Sequence, residues 1–210
     1  MPKIKAILLD MDGVLIDARE WHYEALNRAL RLFGREISRH EHLVSYDGLP
    51  TSKKLELLSL QDGFPTGLHD FVNRLKQDFT IEMAIRFCRP TFAHQYALAR
   101  LKQDGYKLAV CSNSIRTTID TMLSKAGLIE YLEFFLSNQD IKRPKPDPEV
   151  YLTAIERLQL NPEDCLIVED NEHGIRAAKG SGAHIMQVAL PSDLTYFRIK
   201  QEIKSVEAIC

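Results

Sequence analysis

The sequence predicts an α/β protein with a doubly wound, Rossmann-like core of parallel strands and a helical cap domain inserted after the first strand. Three observations support this prediction. Short and almost continuously apolar segments recur along the chain, as in strands buried on both faces of a parallel sheet. In the later part of the chain, amphipathic segments alternate with these apolar segments, which is typical of doubly wound folds. After the first apolar segment, about 70 residues contain no convincing strand.

Five apolar segments are predicted to form the sheet. The first lies close to the start of the sequence, and the other four follow the long helical stretch, separated by amphipathic segments. We therefore expect a parallel sheet in which helices connect successive strands. The predicted strands are Lys5–Leu9, Lys107–Cys111, Glu133–Leu136, Cys165–Val168 and His184–Val188.

The helices of the core are marked by residues that start or end helices. Gly105, Gly127 and Gly180 each follow an amphipathic segment, and glycine readily adopts the left-handed conformation with which many helices end. Asp147 is predicted to be an N-cap, with Pro148 at the first position of its helix. The last stretch of the chain is expected to be helical with a frayed end. The segments are Phe92–Asp104, Ile115–Ala126, Asn171–Lys179 and Asp193–Cys210.

Residues 17–88 are predicted to be the helical cap domain, and residues 1–16 with 89–210 the α/β core. An apolar stripe runs along the first cap helix and stops before a glycine. A capping box starts a second helix, because its serine and glutamate can satisfy each other's backbone donors. The segments are Arg19–Phe33, ended by Gly34; Ser38–Glu41, the capping box; Lys53–Leu60; and a final stretch opened by Pro65.

The composition excludes several classes of protein. A chain of 210 residues fits one domain or one domain with a modest insertion. Lys plus Arg number 27 and Asp plus Glu number 29, which gives a net charge of −2. This balance gives no electrostatic reason to expect a nucleic-acid or membrane partner. We expect a monomer or a weak dimer.

The cysteines and the N-terminus indicate a cytoplasmic protein. The four cysteines lie far apart and form no CxxC pair, so neither a disulfide framework nor a zinc module is expected, and a reducing cytosol is the natural compartment. The first apolar segment ends abruptly at Asp10, which makes it too short for a signal peptide or a membrane span.

Acidic residues stand where two of the predicted strands end. Asp10 and Asp12 follow the first strand, and Glu169 and Asp170 follow the fourth. Ligands of parallel α/β sheets bind at the carboxyl ends of the strands, so these carboxylates should converge there. Carboxylates this close together either rise in pKa or bind a cation. With only oxygen ligands nearby, the expected cation is Mg²⁺.

The same edge of the sheet offers groups suited to a phosphoryl ligand. Ser112 and Asn113 follow the second strand and lead into a helix, whose N-terminal N–H groups favour a phosphate. Lys145 lies in a loop stiffened by the prolines on either side of it. Positioning and charge neutralisation are the main contributions of a protein to phosphoryl transfer. The pattern therefore predicts a phosphoryl-transfer site.

Four motifs in order carry a family resemblance over nearly the whole chain. They are LLDMDGVL, VCSNS, KPDP and IVEDN with the following GIRAAKGSG. The sequence resembles the haloacid dehalogenase superfamily, and the stretch DGVLIDxxxxHYEAL is similar to the branch of β-phosphoglucomutase and phosphoglycolate-type phosphatases. Asp12, the second acid of DxD, argues against the carbon–halogen chemistry of the dehalogenases that named the family.

The resemblance implies roles for five residues in catalysis. Asp10 would be the nucleophile that forms an aspartyl-phosphate. Asp12 would be the general acid for the leaving oxygen and then the base for the incoming water or hydroxyl. Ser112 and the backbone of Asn113 would hold a phosphoryl oxygen. Lys145 would neutralise the charge shared by the phosphate and the nucleophile.

The resemblance also implies a ligand set for Mg²⁺. The ligands would be the Asp10 carboxylate, the backbone carbonyl of Asp12 and the Asp170 carboxylate. Glu169 would contact the metal directly or through water. No other cofactor is implied.

Cap residues would select the substrate. His22 matches a cap histidine of this branch, although an ordinary surface histidine at that position is equally compatible with the sequence. The segment Asp47–Lys54 occupies the specificity position, where β-phosphoglucomutase carries an arginine; Thr51 stands near that place here, with Lys53 and Lys54 close by. Lys76 stands where the branch often has a lysine that faces the site, and it could equally be solvated.

The sequence therefore predicts a Mg²⁺-dependent phosphatase that acts on a small phosphorylated metabolite, such as a sugar phosphate or a phosphoglycolate-like acid. A hexose-phosphate mutase of the β-phosphoglucomutase type is the nearest alternative, because only the cap would decide whether water or a sugar hydroxyl attacks the aspartyl-phosphate. A catalytically inactive phospho-ligand binding or signalling protein is an alternative of another class. Such a protein would be expected to have lost a core residue, and none is missing.

Overall fold

The computed structural model describes residues 4–46 and 49–209. They divide into two compact units. The core unit lies within Met1–Asp17 and Cys88–Cys210, and the helical unit within Ala18–Phe87. The assignment of residues 17–88 as a cap stays a prediction.

The core unit is built on one parallel five-stranded sheet, as the sequence predicts. The strands run in the order β3-β2-β1-β4-β5, so the first strand of the chain lies at the centre. Every neighbouring pair is parallel. The strands are β1 (Ala6–Leu9), β2 (Lys107–Cys111), β3 (Phe134–Leu136), β4 (Cys165–Glu169) and β5 (His184–Gln187).

Helices account for most of the remaining described chain. Those of the helical unit are α1 (Arg19–Arg31), α2 (Arg39–Glu41), α3 (Thr51–Asp62) and α4 (His69–Phe87). Those of the core unit are α5 (Phe92–Gln103), α6 (Arg116–Lys125), α7 (Glu149–Leu158), α8 (Glu172–Ser181) and α9 (Tyr196–Ile209). Within residues 4–46 and 49–209, no helix combines the length and the apolar composition needed to cross a membrane.

The central strand explains the apolar segments of the sequence. All four residues of β1 are fully buried, although neighbouring side chains of a strand point to opposite faces. Both faces of the sheet are therefore covered, which favours a continuous apolar run over alternation. On one face, Ala6 and Leu8 pack in a cluster with the apolar sides of α7 and α8.

Two signals at helix ends were misjudged from the sequence. Gly180 lies inside α8, which ends at Ser181, and Gly182 adopts the left-handed conformation with φ of 78°. Gly180 has a packing role instead, since a Cβ there would lie 3.2 Å from the ring of Pro148. Asp147 is not the N-cap of α7; Pro148 occupies that position, and Asp147 accepts a hydrogen bond from the Glu149 N–H at 3.0 Å.

The helical unit contains no strand among its described residues, as predicted. The capping box is present, with Ser38 accepting from the Glu41 N–H and Glu41 accepting from the Ser38 N–H. Its helix has only one turn and continues as the π-helical segment His42–Tyr46. Buried Asn27 holds the following segment, because its amide donates to the Ile37 carbonyl and accepts from the Ile37 N–H, both at 2.9 Å.

Candidate active site

The strand register brings the acidic residues of the core unit to one edge of the sheet. Leu9 at the end of β1 pairs with Val110 on one side and Val168 on the other. The next residue, Asp10, donates its backbone N–H to the Val168 carbonyl at 3.0 Å. The chain after β1 therefore lies between the ends of β2 and β4, where Ser112 and Glu169 are placed.

A buried lysine joins the carboxylates of two strands. The Lys145 ammonium donates to Asp10 Oδ1 at 2.7 Å and to Glu169 Oε1 at 2.6 Å. Its third hydrogen bond goes to the Cys111 carbonyl at 2.8 Å. Lys145 is 4% exposed, Asp10 5% and Glu169 0%. All three donors of the ammonium are satisfied, which a buried charge requires.

Burial and charge shift the ionisation of this cluster. Burial raises the pKa of Asp10 well above its usual value; the Lys145 ammonium lowers it in part, and the Glu169 and Asp12 carboxylates raise it. Burial lowers the pKa of Lys145, but the carboxylates of Asp10 and Glu169 outweigh this effect and raise it. The lysine therefore stays protonated, while an ionised Asp10 calls for a further positive charge.

Three carboxylates are arranged so that they can hold a metal ion. Oxygen atoms of Asp10, Glu169 and Asp170 lie within 4.8 Å of one another. The donor set contains only oxygen, which suits a hard divalent cation such as Mg²⁺. Gly13 leaves space for the Asp170 carboxylate, because its φ is +88° and a Cβ there would lie 2.0 Å from Asp170 Oδ2. The residues present therefore fit a magnesium ion.

Asp12 is held by a residue after β2. The Ser114 hydroxyl donates to Asp12 Oδ2 at 2.9 Å. Its backbone N–H donates to the Ser112 hydroxyl at 3.0 Å, and its carbonyl accepts the Asn138 N–H at 3.1 Å. Ser112 itself is buried. Asp12 and Ser112, both predicted from the sequence, are thus joined through Ser114.

Sequence reasoning missed three contributions to the site. The role of Ser114 depends on a contact across 102 positions of the chain, which no local signal reveals. The Asn113 side chain holds the backbone of Lys145 by two hydrogen bonds. It donates to the Lys145 carbonyl at 3.2 Å and accepts from the Lys145 N–H at 3.0 Å. Tyr151 donates to Glu169 Oε1 at 2.5 Å, and the Lys145 ammonium lies 4.7 Å from its ring centroid. A tyrosine on an apolar helix face requires a buried partner, and that signal could have identified Tyr151.

The predicted cap residues lie in the helical unit. The Lys76 ammonium lies 3.1 Å from His22 Nδ1, which brings these two predicted residues together. Lys53 is exposed and forms an ion pair with Glu56 at 2.7 Å, whereas Lys54 is buried, 3.3 Å from His42 Nε2.

The specificity segment Asp47–Lys54 is not a continuous loop. Residues 51–54 form the first turn of α3. Asp47 and Gly48 lie outside the described residues.

Known proteins resemble this chain in sequence and in fold. A family model described as haloacid dehalogenase-like hydrolase matches residues 7–188. The chain is 27% identical over 190 residues to a phosphorylated carbohydrates phosphatase of Thermotoga maritima, covering 85% of this chain and 82% of that protein. It is 30% identical over 179 residues to a phosphoglycolate phosphatase of Aquifex aeolicus, again covering 85% and 82%. A crystal structure of β-phosphoglucomutase from Clostridium difficile has the same fold, with a TM-score of 0.81 at 20% identity over 98% of this chain and 99% of that one.

Proposed function

The chain belongs to the haloacid dehalogenase-like hydrolase family, and from this membership we propose that it is a Mg²⁺-dependent phosphatase that forms an aspartyl-phosphate on Asp10. The relatives of Thermotoga maritima and Aquifex aeolicus are named as phosphatases, and the chain is a hydrolase of phosphoric monoesters. One observation carries the assignment of the nucleophile. Asp10 lies at the end of the central strand, held through Oδ1 by the Lys145 ammonium, within ligand distance of two further carboxylates.

Asp10 attacks the phosphorus atom in the first step. One oxygen of the Asp10 carboxylate forms the new O–P bond while the bond between phosphorus and the leaving oxygen breaks. Lys145 neutralises charge on both Asp10 and the phosphoryl group. Asp10, Asp170 and the backbone carbonyl of Asp12, with Glu169 direct or through water, would hold Mg²⁺, which would supply the positive charge that keeps Asp10 ionised.

Asp12 moves the protons of both steps. In the first step it gives its proton to the leaving oxygen, which departs as a hydroxyl. In the second step the resulting carboxylate takes a proton from the attacking water, the Asp10–phosphate bond breaks, and inorganic phosphate leaves. Ser112 and the backbone of Asn113 hold phosphoryl oxygens throughout.

The substrate is a small phosphorylated metabolite, a sugar phosphate or a phosphoglycolate-like acid. The names of the relatives support this class, since they act on phosphorylated carbohydrates and on phosphoglycolate. His22, Lys53 and Lys76 contribute to substrate selection under this proposal. Residues 17–88 act as the cap, and the protein works in the cytoplasm as a monomer or a weak dimer, without nucleic-acid or membrane partners.

The test is release of inorganic phosphate from sugar phosphates, phosphoglycolate and nucleotides, with Mg²⁺ and with a chelator. We expect metal-dependent release from one class of substrate. Asp10→Asn should lower kcat by at least about 10³-fold, because the amide is a poor nucleophile.

Asp104→Asn is the matched control, since it removes a carboxylate near the start of β2. This carboxylate accepts a hydrogen bond from Tyr196 and forms an ion pair with Lys200. It should keep the activity of the wild type. Substantial metal-dependent turnover by pure Asp10→Asn protein would contradict the assigned nucleophile, and lack of release from every substrate would contradict the phosphatase.

A further inference from the structure

We propose that Ser114 is a positioning residue for the acid–base step: its hydroxyl fixes Asp12 so that one carboxylate oxygen, Oδ1, carries the transferred proton. This inference rests on the proposed function, in which Asp12 is the general acid. It concerns the last residue of the VCSNS motif, to which the sequence analysis assigns no role.

Ser114 is itself held in place by three hydrogen bonds. Its backbone N–H donates to Ser112, and its carbonyl accepts from Asn138 after β3. Its hydroxyl then reaches Asp12 Oδ2 at 2.9 Å. The backbone of Ser114 is anchored to two strand ends, so the hydroxyl has little freedom to leave Asp12. A contact made by a freely rotating surface serine would lack this support.

The direction of this hydrogen bond divides the work between the two oxygens of Asp12. A carboxylate has only acceptor atoms, so when Asp12 is ionised the serine hydroxyl must be the donor. Oδ2 accepts from Ser114, and under this proposal the proton that Asp12 gains or loses resides on Oδ1. This hydrogen bond would have to break for the carboxyl group to rotate and exchange its two oxygens.

The proton balance of the reaction follows from this arrangement. In the first step, the Oδ1 proton moves to the leaving oxygen as its bond to phosphorus breaks, and Asp12 becomes a carboxylate that still accepts from Ser114. In the second step, Oδ1 takes a proton from water as the water oxygen bonds to phosphorus. Ser114 keeps its own proton throughout, so it positions the acid without exchanging a proton with the substrate.

A leaving-group series tests the proposal. Nitrophenolate departs readily without a proton, whereas phenolate is a poorer leaving group and depends more on the general acid. We would measure kcat/KM for 4-nitrophenyl, phenyl and 4-methoxyphenyl phosphates, which share one ring. For Ser114→Ala we expect a loss of about tenfold or more with phenyl phosphate and of less than about threefold with 4-nitrophenyl phosphate.

Two variants control for the fold and for the route of the effect. Ser114→Thr keeps a hydroxyl and should restore the wild-type dependence on the leaving group. Ser114→Cys keeps the size of the side chain but is a weak donor, so it should show the same selective loss if the alanine variant fails to fold. In an Asp12→Asn background, Ser114→Ala should cause no further loss, because it acts only through Asp12.

The outcomes separate the two claims. If Asp12→Asn shows no greater loss with phenyl than with 4-nitrophenyl phosphate, the acid role of Asp12 is wrong and the proposed mechanism fails. If Asp12→Asn shows the selective loss but Ser114→Ala slows all three substrates equally, or none, the mechanism stands and the inference about Ser114 is overturned.

Discussion

Both carboxylate oxygens of Glu169 accept hydrogen bonds inside the protein. Oε1 accepts from the Lys145 ammonium and the Tyr151 hydroxyl, and Oε2 accepts the Asp170 N–H at 3.2 Å. A fully buried carboxylate is tolerated only with such partners. Gly174 on α8 permits this position, because a Cβ there would lie 2.0 Å from the carboxyl carbon. The residues around Glu169 therefore come from the loop of Lys145, from α7 and from the chain that follows β4.

Tyr151→Phe should lower the free energy of unfolding by about 1.5–3 kcal/mol, the range for a hydrogen bond to a charged group. The change removes one donor to Glu169 and leaves the ring and its packing in place. Burial raises the pKa of Tyr151 well above its usual value, so the hydroxyl is a donor at every pH of interest. Urea denaturation of the metal-free proteins measures the difference.

Tyr96→Phe is the matched control, since its ring is partly exposed and packs against Phe92 and Tyr196. It should change the stability by less than about 0.5 kcal/mol. If Tyr151→Phe and wild type have equal free energies of unfolding, the hydrogen bond from Tyr151 to Glu169 makes no net contribution to stability.

At the scale of elements, an ion pair joins the starts of two neighbouring strands. The Lys5 ammonium lies 2.9 Å from Asp164 Oδ1, and the Lys5 N–H donates to the Asp164 carbonyl at 2.7 Å. Asp164 also accepts the Asn161 N–H at 3.2 Å, within the turn that leads into β4. The hydrogen bond from Lys5 is the main cause of a lowered pKa at Asp164.

This lowered pKa predicts a loss of stability in acid. The folded state binds the Asp164 proton more weakly than the unfolded chain, whose pKa is near 3.8. The stabilisation is therefore complete above that value and is lost as the pH falls through the lower folded pKa. Asp164→Asn should lower Tm by about 2–4 °C at neutral pH, and the difference from wild type should shrink below pH 4.

Thermal melts of both proteins from pH 7 to pH 2.5 measure this convergence. Asp120→Asn on α6 is a control that removes an exposed carboxylate, and its curve should follow that of wild type. A difference between Asp164→Asn and wild type that stays constant with pH would assign the effect to packing rather than to charge.

The elements with strong local signals could be predicted, and those decided by tertiary contacts could not. The strands were recognisable because burial on both faces leaves almost no polar residues in them. Gly180 and Gly182 are equivalent as local signals, but Gly180 packs against Pro148 inside α8 and Gly182 has the left-handed conformation at its end. At the start of α7, Pro148 is the N-cap in place of Asp147, with φ of −73° and ψ of −3°.

The site divides in the same way. Strand ends and chemical type brought Asp10, Glu169 and Lys145 into one prediction, and the structure places them in direct contact. The hydrogen bond of Ser114 reaches Asp12 across 102 positions of the chain and that of Tyr151 reaches Glu169 across 18, so no local pattern pairs these residues. The positions of Lys53 and Lys54 illustrate a second limit: adjacent lysines have opposite burial because they lie on different sides of α3.

For the whole molecule, the acidic cluster predicts that Mg²⁺ stabilises the fold. A ligand that binds only the folded protein, at 100 times its Kd, adds about 2.7 kcal/mol to the free energy of unfolding. For a chain of this size that corresponds to a rise in Tm of about 5–10 °C. Differential scanning fluorimetry with a Mg²⁺ titration, without substrate, measures it. Asp170→Asn should reduce the shift and move it to higher Mg²⁺ concentrations.

A Na⁺ titration at matched ionic strength controls for general screening of charge, and Asp120→Asn controls for the loss of a carboxylate. An unchanged shift in Asp170→Asn would mean that the stabilising ion binds elsewhere.

The central position of β1 has a consequence for synthesis on the ribosome. This strand is made first, yet its partners are β2 and β4, and β4 ends only at Glu169. At about 5–20 residues per second, the nascent strand waits for roughly ten seconds or more before both of its edges can pair. The four helices of the helical unit emerge during that interval, and their short-range contacts can form at once. We therefore expect the insertion to fold before the sheet that contains the strand preceding it.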